Sequence, residues 1–327
     1  MILLSKDDIR KVFNMSDAIE AAKRSYKLFS EGSCDVPLRT IINSDKGDFC
    51  FMPSYSKEMN SAAMKVVNVF PGNPEKGLPG SIGQVLLIDG TTGKVNALID
   101  GTYVTAIRTA AASGSAFDLF GIKDAQTGAL IGTGSQALLQ LEAMLASRPI
   151  REVRVAARNF EKTRSFVEKA KKELAVYEAE IIACESPDDA VNGADLVTLV
   201  TVSKTPVCSA KSFKTGCTIS AVGSYAYDMQ ELDPAIFEKT NKIYFDSAEA
   251  VLAESGDIIK PLEQGLLKKE SLTGDIGDYI LGKIPGRETE DEIIVFKNVG
   301  IGVLDLVAAA EIYNKAVKAD IGLKWGE

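Results

Sequence analysis

The sequence predicts an α/β fold built on a doubly wound parallel sheet, together with a second domain of α+β type. Between about residues 128 and 250, short runs rich in valine, isoleucine and leucine alternate with helical segments. Strands that alternate with helical crossovers form a parallel sheet covered on both faces. In the first 115 residues, short apolar runs instead follow one another across turn signals such as DKGD and DGTTG. This pattern is typical of an antiparallel or mixed sheet.

Length and composition restrict the class of protein. The chain has 327 residues, 46% of them hydrophobic and 25% charged, with a formal net charge of −8, and this length favours two domains. The acidic balance and the lack of a lysine- or arginine-rich block argue against a nucleic-acid partner. No apolar run approaches the roughly 18 residues of a membrane span. We therefore expect a cytoplasmic protein without a membrane or nucleic-acid partner.

The amino-acid inventory also limits the chemistry. Histidine is absent, which excludes Ser-His and Cys-His catalysis and the zinc sites that depend on imidazole. The five cysteines are scattered without paired spacing, so we expect reduced thiols and no metal site. Any proton transfer must use lysine, aspartate, glutamate, tyrosine, cysteine or water.

The N-terminal domain is predicted to contain a helix near residues 16–31 and then a series of strands. These strands are the runs RTIINS, DFCFMPSY, SAAMKVVNVF, GQVLLID and KVNALID. The segment GTYVTAIRTAAASGSAFDLF predicts a helix that leads into the α/β domain. Near the C-terminus, VGIGVLDLVAAAEIYNKAVKA is strongly helical, and we expect it to pack back on the first domain. The predicted domains are therefore residues 1–115 with 300–327, and residues 116–299.

The second domain is predicted to begin its sheet at a glycine-rich turn. The predicted strands are ALIG, EVRVAA, AEIIAC, DLVTLVTV, TISAVG and KIYFDS. The turn after the first strand fits the pattern G-x-G-x-x-A with Gly132, Thr133, Gly134, Ser135, Gln136 and Ala137. In this pattern the first glycine permits a tight turn, the second admits a pyrophosphate, and the alanine keeps the helix close to the strand. Because a helix N-terminus also favours phosphate, we predict a Rossmann-type dinucleotide-binding domain.

The end of the second strand indicates which dinucleotide is preferred. An enzyme that uses NAD usually carries Asp or Glu there, which accepts hydrogen bonds from the ribose. This chain has Arg158 and Asn159 instead, and the planar fork of an arginine suits a 2′-phosphate. We therefore favour NADP over NAD as the cofactor, while a solvated Arg158 would leave both open. The predicted cofactor-binding set further includes Thr201, Val202, Val222 and Gly223.

Three cations in the N-terminal domain are candidates for binding an anionic substrate. Arg39, Lys65 and Arg108 each lie among apolar or small residues, where a solvated side chain is out of place. Together they would bind a carboxylate well, because a charge-assisted hydrogen bond contributes about 1.5–3 kcal/mol. Taken singly, each also fits a structural ion pair. Spacing alone does not decide between these interpretations.

The motifs together resemble the ornithine cyclodeaminase/mu-crystallin family over essentially the whole chain. The resemblance rests on VPLRT, the MP of CFMPSY, MKVVNVFPGNPEKGLPG, LIDGTTG, TAIRTAAASG, IGTGSQA, AVGSYAYDMQELD and VGIGVLDLVAAA. It implies a homodimer whose N-terminal domain forms both the dimer interface and the substrate pocket. It also implies that the three cations hold a substrate carboxylate, that Met52 lies in the same pocket, and that Thr109 lies at the cofactor phosphates.

The sequence departs from the cyclodeaminase pattern at two places. After the fifth strand the cyclodeaminase pattern is G-A-D, whereas this chain reads G-S-Y at residues 223–225. The pattern also has an acidic residue two positions before the Met-Pro pair, and Cys50 stands there in this chain. Both groups that would recognise a second amine are therefore missing. The segment with Asp228 and Glu231 resembles ketimine reductases and pyrroline-2-carboxylate reductases, although Glu231 also fits a capping or ion-pair role.

The expected activity is the reduction of a cyclic imino acid, such as pyrroline-2-carboxylate or piperideine-2-carboxylate, to proline or pipecolate. The imine nitrogen needs a proton, and without histidine we expect Lys65 or a water held near Ser224 to supply it. Alternatives of the same family are alanine dehydrogenase and ornithine cyclodeaminase. An alternative of a different class is an NADPH-binding protein of the mu-crystallin type.

Overall fold

The computed structural model describes residues 1–240 and 242–326. The chain divides into two compact units, of which the first contains residues 1–108 and the segment from residue 300 onward, and the second contains residues 109–299. Within the described residues, no helix is both long and apolar enough to cross a lipid bilayer.

The helices and strands follow the chain in this order: β1 (Ile2–Leu4), α1 (Lys6–Val12), α2 (Met15–Ser30), β2 (Cys34–Asp35), β3 (Thr40–Ser44), β4 (Gly47–Ser56), β5 (Ser61–Val69), β6 (Ser81–Asp89), β7 (Val95–Asp100), α3 (Gly101–Phe120), β8 (Thr127–Ile131), α4 (Ala137–Ser147), β9 (Glu152–Ala156), α5 (Phe160–Glu173), β10 (Glu180–Ala183), α6 (Pro187–Val191), β11 (Leu196–Leu199), β12 (Thr218–Ala221), β13 (Lys242–Phe245), α7 (Ala248–Glu254), α8 (Gly256–Glu263), β14 (Gly274–Asp275), α9 (Ile276–Ile280), β15 (Ile294–Lys297), α10 (Gly302–Lys318) and β16 (Leu323–Lys324).

The first unit is built on a mixed sheet, as the sequence predicts. The strand order is β16-β1-β7-β6-β5-β4-β2, and β3 pairs with β4. Neighbouring strands are antiparallel except for the parallel pair of β1 and β7. The two helices at the start of this unit begin at side-chain caps, because Ser5 and Asn14 each accept a hydrogen bond from the backbone N–H three residues later.

One face of this sheet is buried under the C-terminal helix. Helix α10 packs on strands β4, β5 and β6, and helix α2 packs on α10, so the C-terminal helix is part of the first unit. A row of directly paired residues on this face consists of Met52, Lys65, Val85 and Ile99. All four are buried. The sheet therefore places a lysine in the middle of an apolar row, beneath a helix.

The second unit is a parallel sheet of doubly wound type, which confirms the predicted fold class. Its strand order is β10-β9-β8-β11-β12-β15-β13-β14, and the neighbouring strands run parallel. The six predicted strands are present. Strand β15, which is fully buried and lies between β12 and β13, was not predicted.

The direction of winding reverses between strands β8 and β11. From β8 the chain moves outward to β9 and β10, and it then returns to the other side of β8 to form β11 and β12. In open α/β sheets, ligands bind beyond the carboxyl ends of the strands at such a reversal. Gly132 directly follows β8, and Thr201 lies two residues beyond β11. The predicted cofactor residues thus begin at this reversal.

Candidate functional sites

The three cations of the first unit meet around one carboxylate and one glycine. Lys65 Nζ lies 2.6 Å from Asp305 Oδ2, and Arg108 Nε lies 3.1 Å from Asp305 Oδ1. Arg39 Nη2 donates a hydrogen bond to the carbonyl oxygen of Gly300 at 2.8 Å. A Cβ on Gly300 would collide with the Arg108 guanidinium, and its φ of +83° also favours glycine. The backbone that binds Arg39 therefore also contacts Arg108.

Burial makes this cation cluster electrostatically unusual. The side chains of Lys65 and Asp305 are 0% and 1% exposed, and that of Arg108 is 7% exposed. Burial lowers the pKa of Lys65 from 10.5 to about 7; the nearby cations Arg108 and Arg39 also lower it, whereas Asp305 opposes the change. With Lys65 protonated, Lys65 and Arg108 place two positive charges against the one carboxylate of Asp305. The cluster therefore has an excess of positive charge that suits an anionic ligand.

Apolar side chains lie beside the cations. Met52 is directly opposite Lys65 in the sheet register, and it forms a buried cluster with Cys50 and Val67. A site with an excess of positive charge next to an apolar wall suits a small acid that carries a hydrocarbon part.

Asp305, the acid that joins two of the cations, was not among the predicted site residues. It lies in helix α10, more than 190 residues from either partner. A signal was present, because Asp305 is the single charged residue in the apolar segment 299–310. A lone acid on a helix face that packs against a sheet indicates a buried partner of opposite charge.

The glycine-rich turn of the second unit has the geometry that a pyrophosphate requires. Gly132 has a φ of +117°, and a Cβ there would lie 2.5 Å from the carbonyl oxygen of Val200. At Gly134 a Cβ would meet no atom within 4 Å, and the backbone of this residue is exposed. Helix α4 begins at the buried Ala137. The turn therefore holds β8 close to the end of β11 and leaves open space in front of the helix N-terminus.

The remaining residues of this turn lie on its open side. Thr133 and Gln136 are half-buried, and Ser135 is exposed. Thr109, which was predicted at the cofactor phosphates, is tied to the same helix because its carbonyl oxygen accepts a hydrogen bond from Gln140 Nε2 at 3.2 Å. These residues fit a dinucleotide phosphate group, and their contacts with one stay a prediction.

Arg158 and Asn159 follow strand β9 and differ in what they do. Asn159 caps helix α5, since its Oδ1 accepts a hydrogen bond from the backbone N–H of Lys162 at 2.9 Å. Arg158 is exposed. Its guanidinium is therefore accessible to a phosphate group of a bound ligand.

The four other predicted cofactor residues form two short segments at the ends of adjacent strands. Thr201 and Val202 follow β11, and the Val202 side chain is 78% exposed. Val222 and Gly223 follow β12 and are buried. Glu231 lies between these two segments and accepts a hydrogen bond from each.

Ser224 was predicted to lie near a water that donates the proton, and its environment does not suit that role. Its side chain is fully buried. The hydroxyl donates to the carbonyl oxygen of Met229, accepts from the backbone N–H of Asp257, and contacts the hydroxyl of Ser255 at 3.1 Å. These contacts use the one donor and both acceptor positions of a serine hydroxyl. We therefore assign Ser224 to holding the segment after β12, and not to proton transfer.

Of the two positions that distinguish this chain from the cyclodeaminase pattern, Cys50 is buried in β4, whereas Tyr225 lies in the segment after β12, with Asp228 close behind it in sequence. Tyr225 is 42% exposed. Asp228 is exposed and forms an ion pair with Lys204 at 2.6 Å. The hydrogen bond from Lys204 and the positive charge of Lys204 lower the pKa of Asp228. Asp228 therefore has the environment of a surface carboxylate.

The fold, the glycine-rich turn and the cation cluster define the class of this protein: a Rossmann-type dinucleotide domain together with a second domain that contains a cluster of cations around a buried carboxylate. The sequence model of the Ornithine cyclodeaminase/mu-crystallin family matches residues 1–320. The chain belongs to this family.

Individual relatives match along nearly the whole chain. The Delta(1)-pyrroline-2-carboxylate reductase of Bacillus cereus is 36% identical over 328 residues, which is 98% of each chain. The structure of Thermococcus litoralis Delta(1)-pyrroline-2-carboxylate reductase in complex with NADH and L-proline has a TM-score of 0.94 and 36% identity, covering 99% of this chain and 100% of that one. An archaeal alanine dehydrogenase dimer with bound NAD has a TM-score of 0.92 and 29% identity, covering 100% and 99%.

Proposed function

We propose that this protein is an NAD(P)H-dependent reductase of cyclic imino acids, which converts Δ1-pyrroline-2-carboxylate or Δ1-piperideine-2-carboxylate to proline or pipecolate. The observation that carries the proposal is the cluster of the half-buried Arg39 with the buried Lys65 and Arg108 around Asp305 and Gly300. The similarity to pyrroline-2-carboxylate reductases along the whole chain supports the same activity. A cytoplasmic location follows from the composition and is part of the proposal.

The cluster accounts for the recognition of the substrate's carboxylate. The ligand's anion offsets the excess positive charge, and each charge-assisted hydrogen bond contributes about 1.5–3 kcal/mol. Asp305 fixes Lys65 and Arg108 before any ligand binds, so little ordering is left to be done on binding. The hydrocarbon ring is placed against Met52 and its apolar neighbours.

Reduction of the C=N bond adds one hydride at carbon and one proton at nitrogen. The bound nicotinamide cofactor supplies the hydride. Lys65 is the proposed source of the proton, because its ammonium is buried beside the carboxylate site and burial lowers its pKa to about 7, where an amine donates a proton readily. The Asp305 carboxylate favours the protonated form of Lys65, whereas the positive charge of Arg108 disfavours it.

We propose NADP as the preferred cofactor, with NAD as the alternative. Support comes from the exposed Arg158 at the end of β9, where an acidic residue would favour the ribose hydroxyls of NAD. Gly132, Gly134 and the N-terminus of helix α4 are the groups that would hold the pyrophosphate.

We further propose that the active form is a homodimer. The face of the first sheet opposite helix α10 carries an apolar row of directly paired residues, Pro53, Met64, Leu86 and Leu98, and each is only partly buried in the single chain. Large exposed apolar faces mark interaction surfaces. The alanine dehydrogenase of similar structure is a dimer, so a second copy of this chain is the proposed partner.

The test is an assay of NADPH and NADH oxidation at 340 nm with Δ1-pyrroline-2-carboxylate, Δ1-piperideine-2-carboxylate, and pyruvate with ammonia, together with a separate assay of ammonia release from ornithine. We expect turnover with the cyclic imines. Turnover with pyruvate and ammonia alone would instead identify an alanine dehydrogenase, and ammonia release from ornithine a cyclodeaminase. Tight NADPH binding without turnover of any imine would favour a binding protein.

The variant Lys65→Met tests the role of the cluster, with the exposed Lys57→Met as a matched control. We expect Lys65→Met to lose both carboxylate affinity and the chemical step, and Lys57→Met to behave as the wild type. If Lys65→Met weakens carboxylate binding but leaves the single-turnover rate at saturating substrate unchanged, Lys65 is not the proton donor.

A further inference from the structure

A second buried ionic cluster, which the proposed reaction does not use, lies at the carboxyl ends of the strands in the second unit. Its central residue is Glu231, which is fully buried. Glu231 Oε1 accepts a hydrogen bond from the backbone N–H of Thr201, and Oε2 accepts one from the backbone N–H of Gly223, each at 2.5 Å. One carboxylate therefore joins the segments that follow strands β11 and β12.

Two further buried side chains hold Glu231 in place. Asp257 Oδ1 accepts hydrogen bonds from the backbone N–H groups of Glu231 and Leu232, at 2.6 and 2.9 Å. Asp257 Oδ2 lies 3.3 Å from Lys297 Nζ, which in turn donates to the carbonyl oxygen of Ala221 at 3.1 Å. The network begins and ends at the carboxyl end of β12.

The close approach of the two segments leaves no room for a side chain at residue 223. A Cβ on Gly223 would collide with the carbonyl oxygen of Thr201 and would lie 2.5 Å from Glu231 Oε2. The N–H of Gly223 donates to Oε2 of Glu231, and the N–H of Thr201 donates to Oε1 of the same carboxylate. The carboxylate therefore determines the path of both segments, while the side chain of the neighbouring Val202 remains exposed.

We propose that Glu231 is a positioning residue for the nicotinamide cofactor: it holds the Thr201–Val202 and Val222–Gly223 segments in the conformation that binds the cofactor. The inference rests on the proposed function of the second unit as an NAD(P)H site. It requires a carboxylate and not merely a polar group of the same size. A carboxylate offers an acceptor oxygen to each N–H, whereas an amide has one acceptor oxygen and an NH₂ that would face the second N–H donor.

The test compares Glu231→Gln with the wild type and with Glu249→Gln, which alters an exposed glutamate of the same unit. Dissociation constants for NADH and NADPH are measured by cofactor fluorescence on the full chain, and binding of the probe pyrrole-2-carboxylate is measured by calorimetry. We expect Glu231→Gln to weaken binding of both cofactors at least tenfold and to leave the probe's affinity unchanged. Glu249→Gln should match the wild type.

Two outcomes separate this inference from the proposed function. A wild-type protein that binds neither NADH nor NADPH would overturn the proposed function itself. A wild type that binds cofactor, together with a folded Glu231→Gln variant of equal affinity, would overturn the role of Glu231.

Amide hydrogen exchange in the wild type provides a measurement that does not depend on the variant's folding. We expect the amides of Thr201 and Gly223 to exchange slowly without cofactor, since both are bonded to Glu231. In the binding measurements, we expect the variant Glu231→Asp to recover part of the cofactor affinity that Glu231→Gln loses. Fast exchange of both amides in the folded wild type would contradict the inference.

Discussion

Removing the negative charge of Asp305 tests whether this residue holds the cation cluster together. In Asp305→Asn, Lys65 and Arg108 lose ion pairs of 2.6 and 3.1 Å in a site where none of the three side chains is more than 7% exposed. Removing one partner of a buried ion pair costs about 3–5 kcal/mol, because a buried charge is left uncompensated. We expect a loss of this size in the free energy of unfolding at pH 6.

The loss of unfolding free energy should be larger at pH 6 than at pH 9. Lys65 has a folded-state pKa of about 7, below its ordinary value of 10.5, so the lysine carries its charge at pH 6 and is largely neutral at pH 9. At pH 6 the substitution strands two cations, whereas at pH 9 it strands mainly Arg108. If the substitution lowers the pKa of Lys65 further, the loss at pH 6 exceeds the loss at pH 9 by up to about 1.4 kcal/mol, because pH 6 lies only one unit below the wild-type pKa of about 7.

Urea unfolding followed by circular dichroism, at pH 6 and pH 9, measures both quantities. The control is Asp320→Asn, which removes an exposed carboxylate paired with Lys324 at 3.2 Å and should change stability by less than about 0.5 kcal/mol. A loss below about 1 kcal/mol for Asp305→Asn at pH 6, or an equal loss at both pH values, would refute the argument that Asp305 compensates the two cations.

Three further predictions concern the two sites. Gly132→Ala should weaken NADPH binding more than tenfold and lower the melting temperature, since its Cβ would lie 2.5 Å from the Val200 carbonyl oxygen; Gly134→Ala should weaken binding at unchanged melting temperature, because its Cβ meets no atom of the free chain. Fluorescence titration and thermal unfolding check both, and unchanged affinities would argue against phosphate binding at the turn. Affinity for pyrrole-2-carboxylate should fall as the pH rises through about 7, since Lys65 then loses its charge, and calorimetry should find this dependence absent in Lys65→Met. Arg158→Asp should weaken NADPH binding more than tenfold without weakening NADH binding, and equal losses for both cofactors would exclude a contact with the 2′-phosphate.

Local patterns in the sequence carried much of the fold. The alternation of apolar runs with helical segments predicted the parallel sheet, and the turn at Gly132 predicted where its first strand ends, because both depend on neighbours within a few residues. Strand β15 was missed, since a long segment without helix separates the run IIVFK from the short helix α9 and no regular β-α-β alternation marks it. Its place between β12 and β13 is set by pairing over long sequence separations.

By itself, the sequence determined the class of each domain, the absence of histidine chemistry, and which cations are unusual enough to mark a site. Only the tertiary structure decided what those residues contact. It brought Asp305 from the far end of the chain to Lys65 and Arg108, and it used the hydroxyl of Ser224 in hydrogen bonds that leave none for a water. The physical reason is that a buried charge or hydroxyl must find a partner, and the packing of distant segments determines which partner that is.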